Sequence, residues 1–261
     1  MWNPYAQLPA NPRRLLGVGG VAFVLLLWVV LSGTGLVAPN KLPPPWEVAE
    51  AFGTLAWHEG ESRLLEATIW SCARVLVAGL LVVGIGVPVG VLMGASTRVN
   101  ALLSPLVDPF RSAPVVAVLP ILVMWFGIGE VMKVTFLFLG AVVYLIPMVR
   151  DAMQAVPTTY FVSARDLGAT NWEAVRHAVL PMAMPRIADA IIVSVSIMWT
   201  YITVAEYVNA EQGLGKLMSM ARRMSAMDQV FVSIFVIIGL ALLTHTLLSW
   251  AKAKLYDWEV Q

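Results

Sequence analysis

The chain has 261 residues, a net charge of +1, 59% hydrophobic and 13% charged residues, and a mean hydropathy of +0.79. A soluble domain of this length carries about twice that charge fraction, so this is an integral membrane protein. The near-neutral balance excludes a nucleic-acid partner, which needs a basic patch; the single Cys72 excludes an internal disulfide, and the isolated His58, His177 and His245 give no metal-ligand spacing.

A helix needs about 20 apolar residues to cross the hydrocarbon core. Residues 15–37 qualify first, behind Arg13 and Arg14, and are too long for a signal-peptide core, so they read as an uncleaved anchor. Residues 40–45, with Pro43, Pro44 and Pro45, form a stiff extended segment leading into a short outer helix around 47–55. The second span covers 68–94. Its Gly86, Gly90 and Gly94 recur every four positions, with Gly79 and Gly84 nearby, leaving one face almost without side chains. In lipid such a stripe lets helices approach closely, and Pro88 permits a kink; static packing and a rocking motion both fit the pattern. The third span, near 115–128, is short and carries Pro114 and Pro120, so it is bent or begins inside protein. Asp108 and Arg111 just before it are spaced to pair across a turn. The fourth span covers 131–149, the fifth 187–207 and the sixth 230–251.

Six spans return both termini to one side. Arg13, Arg14, Arg98, Arg111, Arg150, Arg165, Arg176, Arg186, Lys252 and Lys254 collect there, against Lys41, Arg63, Lys133, Lys216, Arg222 and Arg223 on the other. The excess of basic residues places the termini in the cytoplasm. The expectation is one all-α transmembrane domain over 1–261. Residues 1–63 form the anchor and outer segment, and 64–255 a core with a cytoplasmic elbow at about 157–181.

That elbow lies between the fourth and fifth spans. Tyr160, Ala164 and Leu167 recur at helical spacing; Gly168 supplies the left-handed residue that ends a helix. Thr170 starts the next helix with Glu173 three residues on as a capping-box partner, and Pro181 and Pro185 then break it before the fifth span. A two-helix elbow held outside the membrane is a docking surface for a soluble partner.

Within the fifth span Ser196, Thr200 and Thr203 share one face. These hydroxyls fit brief contact with a passing anion, and equally fit bonds to their own helix. Trp199 and Tyr201 read as packing or lipid-boundary residues. Arg74, Glu130, Lys133, Asp189 and Glu206 all fall near span ends, which disfavours a proton-coupled carrier. Arg74 either attracts anions at the outer mouth or pairs with a loop. A membrane-embedded enzyme would need intramembrane Asp pairs, His clusters or a buried nucleophile, and the chain offers none.

The elbow resembles the EAA loop of ATP-binding-cassette importer permeases. Gly168, Leu180 and Pro181 stand at the matching spacing and Ala164 at the last alanine, while Val162, Ser163 and Ala178 replace the glutamate, the first alanine and the isoleucine. Other patches resemble the nitrate/sulfonate/taurine/bicarbonate branch of these permeases: Leu42 to Pro45, Ser71 to Arg74 with Gly79, Asp108 to Arg111, Trp125 to Gly129, and Gly213-Leu214-Gly215. The resemblance implies a type I importer permease, multi-pass in the bacterial inner membrane, that is not itself an enzyme. It pairs with a second copy, two ATPase subunits that carry ATP and magnesium, and an external solute-binding protein. The same resemblance implies no cofactor or metal on this chain itself. The docking elbow then comprises Val162, Ser163, Ala164, Asp166, Leu167, Gly168, Ala169, Thr170 and Trp172, and Ser196, Thr200, Thr203 and Arg74 are candidates for the path. The implied solute is nitrate, a sulfonate or taurine, or bicarbonate, with an aromatic or pyrimidine-type nutrient as the alternative.

Overall fold

The computed structural model describes residues 9–57, 62–208 and 211–260; of Arg13 only the backbone is described, and His58 lies outside. Its helices are α1 (Ala10–Gly33), α2 (Pro45–Ala56), α3 (Arg63–Ala95), α4 (Thr97–Val107), α5 (Leu119–Phe126), α6 (Glu130–Gln154), α7 (Thr158–Asp166), α8 (Asn171–Ala174), α9 (Leu180–Tyr207), α10 (Leu214–Arg223) and α11 (Met227–Leu255). Among the described residues five helical segments are long and apolar enough to cross a membrane: Arg14–Gly33, Arg63–Ala95, Glu130–Gln154, Asn171–Tyr207 and Met227–Leu255.

The third span is bent, as its prolines suggest: Thr97–Arg111 and Val115–Phe126 meet at 94°, and a sixth crossing exists only if this bent pair counts as one. Pro114, without a backbone N–H, stands in extended conformation at the break and starts a short 3-10 turn instead of continuing the first helix. One expectation is corrected: Pro181 and Pro185 do not break the elbow from the fifth span. Asn171–Tyr207 is one continuous helix whose Val175–Val179 turn widens to π geometry, with the Leu180 N–H bonding the Val175 carbonyl. The widened turn ends two residues before Pro181, and π turns of this kind let a helix continue past a local irregularity.

The chain divides into two compact units. The smaller contains Met1–Arg63 and Met220–Val232. Within it Pro43 and Pro44 are buried, the Trp28 indole N–H donates to the Pro43 carbonyl at 3.0 Å, and the Trp28 ring stacks on Phe231 with centroids 6.1 Å apart. Pro45 occupies the first turn of α2, where its missing N–H costs nothing.

The larger unit, Leu64–Ser219 with Ser233–Gln261, is organised around α6. Met132, Phe136, Leu137, Ala141, Leu145 and Val149 are wholly buried along it. On one side α6 receives the glycine stripe of α3. A Cβ on Gly86 would lie 2.9 Å from Leu145, and one on Gly90 2.6 Å from Val149 and 2.8 Å from the Ile146 carbonyl; one on Gly94 would collide with Met153. On the other side α9 approaches at Gly140, where a Cβ would fall 2.7 Å from the Tyr201 ring; that ring meets Phe136 edge-on at 5.6 Å. Trp199, buried, donates to Thr244 at 3.0 Å and ties α9 to α11. Small residues thus replace a solvent-driven core, as packing in lipid requires. Asp108 does not pair with Arg111: it accepts from Arg150 at 2.9 Å, and Arg111 faces Asp151 at 4.0 Å. Arg150, on the face of α6 that meets α4, competes better for Asp108 because it also reaches Ser104 one turn earlier.

Candidate functional site

Two constructions stand at opposite ends of α6 and α9. The elbow joins the last residue of α6 to the start of the Asn171–Tyr207 helix, whereas Glu130 begins α6 and Glu206 lies one residue from the end of α9. At 1.5 Å per residue the 25 residues of α6 separate the two by about 37 Å.

At the elbow, α7 stops in a six-residue motif. The Ala169 N–H bonds the Ala164 carbonyl at 3.1 Å, and the Gly168 N–H bonds the Arg165 carbonyl at 2.9 Å. This double closure needs a left-handed residue after the helix, and Gly168 has φ +91°. The Arg165 guanidinium donates to the Ala169 carbonyl at 2.5 Å. Thr170 then caps α8: its backbone N–H donates to Glu173 at 2.7 Å, and its hydroxyl accepts from the Glu173 N–H at 3.3 Å. The turn between the helices is therefore fixed by backbone geometry on both sides.

What it displays is apolar. Leu167 is 90% exposed, Trp172 58% and Val162 52%, with Tyr160 exposed beside them, while Ser163, Asp166, Gly168 and Thr170 complete the exposed surface and Ala164 and Ala169 are half-buried. Only Ala174 and Val175 turn inward. The Tyr160–Ala164–Leu167 stripe faces away from the bundle. Leu167, Trp172 and Val162 thus form exposed apolar points on a turn otherwise lined by polar residues.

At the other end lies a buried cluster whose connectivity is not legible from spacing. The Arg74 guanidinium, 3% exposed, donates from Nε and Nη2 to the two oxygens of Glu130 at 2.6 and 2.7 Å. Its Nη1 donates to Glu206 at 2.6 Å and to the Gln212 carbonyl at 2.8 Å. Lys133 donates to Glu130 at 2.8 Å. Glu206, wholly buried, also accepts from the Ser71 hydroxyl at 2.8 Å and the Gly215 N–H at 2.8 Å, and Ser71 accepts in turn from the Leu214 N–H at 3.0 Å. A Cβ on Gly213 or Gly215 would meet Glu206 at 2.5 or 2.6 Å, so glycine at both positions is what lets the segment close over the carboxylate. Two cations and two anions sum to zero, and no buried side-chain polar atom among the described residues lacks a partner. Charge removed from water is tolerated only when it is paired and hydrogen-bonded in this way. Arg74 thus sits inside the protein with a loop carbonyl as one of its acceptors. Glu130, Lys133, Ser71 and Glu206 were not singled out as a site from the sequence; the readable signals were Ser71 and Arg74 one turn apart and a glutamate shortly before Gly213-Leu214-Gly215.

Of the hydroxyl face in α9, Thr200 is exposed and Ser196 and Thr203 are half-buried. Ser196 donates to the Ile192 carbonyl at 2.9 Å and Thr203 to the Thr200 carbonyl at 2.7 Å. Both spend their proton on their own helix and turn lone pairs outward, which suits an anion poorly until the hydroxyls rotate.

Residues 86–255 match the family of binding-protein-dependent transport system inner membrane components, and the chain belongs to that family. It is a multi-pass permease of the cytoplasmic membrane. The taurine transport system permease protein TauC of Escherichia coli (strain K12) is 32% identical, across 97% of this chain and 94% of its own. The putative aliphatic sulfonates transport permease protein SsuC of Bacillus subtilis (strain 168) is 29% identical, across 91% and 85%. Among solved structures, an inward-facing form of the MetNI methionine ABC transporter superposes with a TM-score of 0.62 at 21% identity, covering 84% of this chain and 98% of that one. An amino acid ABC transporter crystallised with histidines gives 0.63 at 18% identity, covering 80% and 96%. These likenesses define the fold, the type I importer permease.

Proposed function

We propose that two copies of this chain form the membrane path of an ATP-driven importer for a small sulfonate-type anion of the taurine or alkanesulfonate class. Each copy offers one elbow, and an ATPase subunit docks on each, supplying ATP and magnesium. An outer binding protein delivers the solute. The observation that carries this reading is the elbow: a turn fixed by the Gly168 closure and the Thr170 cap, presenting Leu167, Trp172 and Val162 to the aqueous side. Its arginine-rich surroundings support a cytoplasmic position, where ATP is available. With the bent pair counted as a crossing, the spans are even in number and both termini share that side. The sulfonate class is supported by the names of two relatives similar over most of this chain.

The solute is tested on the cognate binding protein. Titration calorimetry with taurine, an alkanesulfonate, nitrate, bicarbonate and an aromatic or pyrimidine compound is expected to give heat with a sulfonate. Binding of only the aromatic or pyrimidine compound overturns the substrate and leaves the importer assignment standing.

A further inference from the structure

The cluster costs more to build than an apolar contact of the same size, because Arg74, Lys133 and Glu206 are stripped of water and only Glu130 stays half exposed. Its better-attested use is to fix the register of the elements it joins. Here those elements are specific. Ser71 and Arg74 come from α3, Glu130 and Lys133 from the first turn of α6, Glu206 from the last turn of α9, and Gln212 to Gly215 from the segment opening α10. Arg74 alone bonds α6, α9 and that segment at once, at 2.6 to 2.8 Å. All of this lies at the end of α6 and α9 remote from the elbow. Along the intervening length α3 and α6 touch through the glycine stripe, which gives close contact without interlocking side chains.

We infer that the Arg74–Glu130–Glu206–Lys133 cluster is a coupling clamp. It holds the remote ends of α3, α6 and α9 as one body, so that a displacement delivered at the elbow moves the far mouth of the path instead of sliding α3 along α6. Arg74 and Glu206 are positioning residues, and the clamp stays closed throughout the cycle. The inference rests on the importer reading, since it presupposes a partner that pushes on the elbow.

The test uses the complete complex of permease, ATPase and binding protein in proteoliposomes, and measures solute taken up per ATP hydrolysed. The first variant is Glu206→Gln, which keeps the side chain's shape and leaves Arg74 bidentate on Glu130. The clamp predicts an assembled complex that hydrolyses ATP while uptake per ATP falls at least ten-fold; an unchanged ratio overturns it. The second is Arg74→Lys, which keeps the cation but cannot bond Glu130, Glu206 and the Gln212 carbonyl at once through a fixed fork. The clamp predicts the same loss of uptake per ATP in a complex that still hydrolyses ATP, and an unchanged ratio would overturn the proposal even if Glu206→Gln failed to fold. A parent complex that recruits no ATPase would instead refute the importer reading itself.

Discussion

Replacing Gly168 isolates the geometry of the elbow from its contacts. Gly168 has φ +91°, and nothing lies within 4 Å of where its Cβ would be, so a methyl group there meets no atom of this chain and its intramolecular cost is conformational. For an L-residue the left-handed region costs about 1–2 kcal/mol, more for a β-branched side chain and less for asparagine. If the elbow must hold this turn to dock, that strain weakens ATPase binding roughly five- to thirty-fold for Gly168→Ala, since about 1.4 kcal/mol is a factor of ten. Gly168→Asn falls below that range and Gly168→Val at or above its top. The assay is binding of purified ATPase subunits to permease in nanodiscs, alongside solute-stimulated ATP hydrolysis. The reasoning predicts the order Asn, Ala, Val, set by tolerance of positive φ. Equal affinity across the series would refute it. An order that follows side-chain volume, with Asn worse than Ala, would replace conformational strain with a steric clash against the partner.

Three further outcomes follow from the packing and the assembly. Gly90→Val places a Cβ 2.6 Å from Val149 and 2.8 Å from the Ile146 carbonyl, so about 1–3 kcal/mol of overpacking should lower the thermal unfolding midpoint in detergent, while Gly84→Ala, with nothing within 4 Å, should leave it unchanged; equal midpoints would dismiss the glycine stripe as a packing device. Arg74→Met leaves Glu206 buried without its cation and should cost about 3–5 kcal/mol, whereas Lys252→Met, at the more open pair with Asp189, should cost less than ~1 kcal/mol; similar losses would contradict the buried cluster. Native mass spectrometry of the active complex should count two permease chains and two ATPase subunits, and a single permease chain would rule the dimer out.

The parts that could be read from the sequence are those encoded locally. The turn at Gly168 and the Thr170–Glu173 box each depend on residues within one helical turn, and both appear as their spacing dictates. The long apolar runs likewise gave α1, α3, α6, α9 and α11 to within a few residues at most ends, because crossing lipid leaves a helix no alternative. Proline marked disruption but not its form. Pro114 stands in extended conformation at a 94° corner, whereas Pro181 lies within a continuous helix just after a π turn. The ion cluster was least legible. Arg74, Glu130 and Glu206 are separated by 56 and 132 positions from Arg74, and single-chain spacing carries no record of which charges meet. The same holds for the α9 hydroxyls, whose face is readable but of which Ser196 and Thr203 give their protons to their own helix.

The most direct measurement of the central claim is vectorial uptake in proteoliposomes holding the permease with its ATPase subunits. ATP and magnesium are placed on the elbow side, and binding protein with labelled sulfonate on the other. The account predicts accumulation on the elbow side that needs both ATP and binding protein. ATP-dependent movement towards the binding-protein side, or uptake indifferent to ATP, would contradict it.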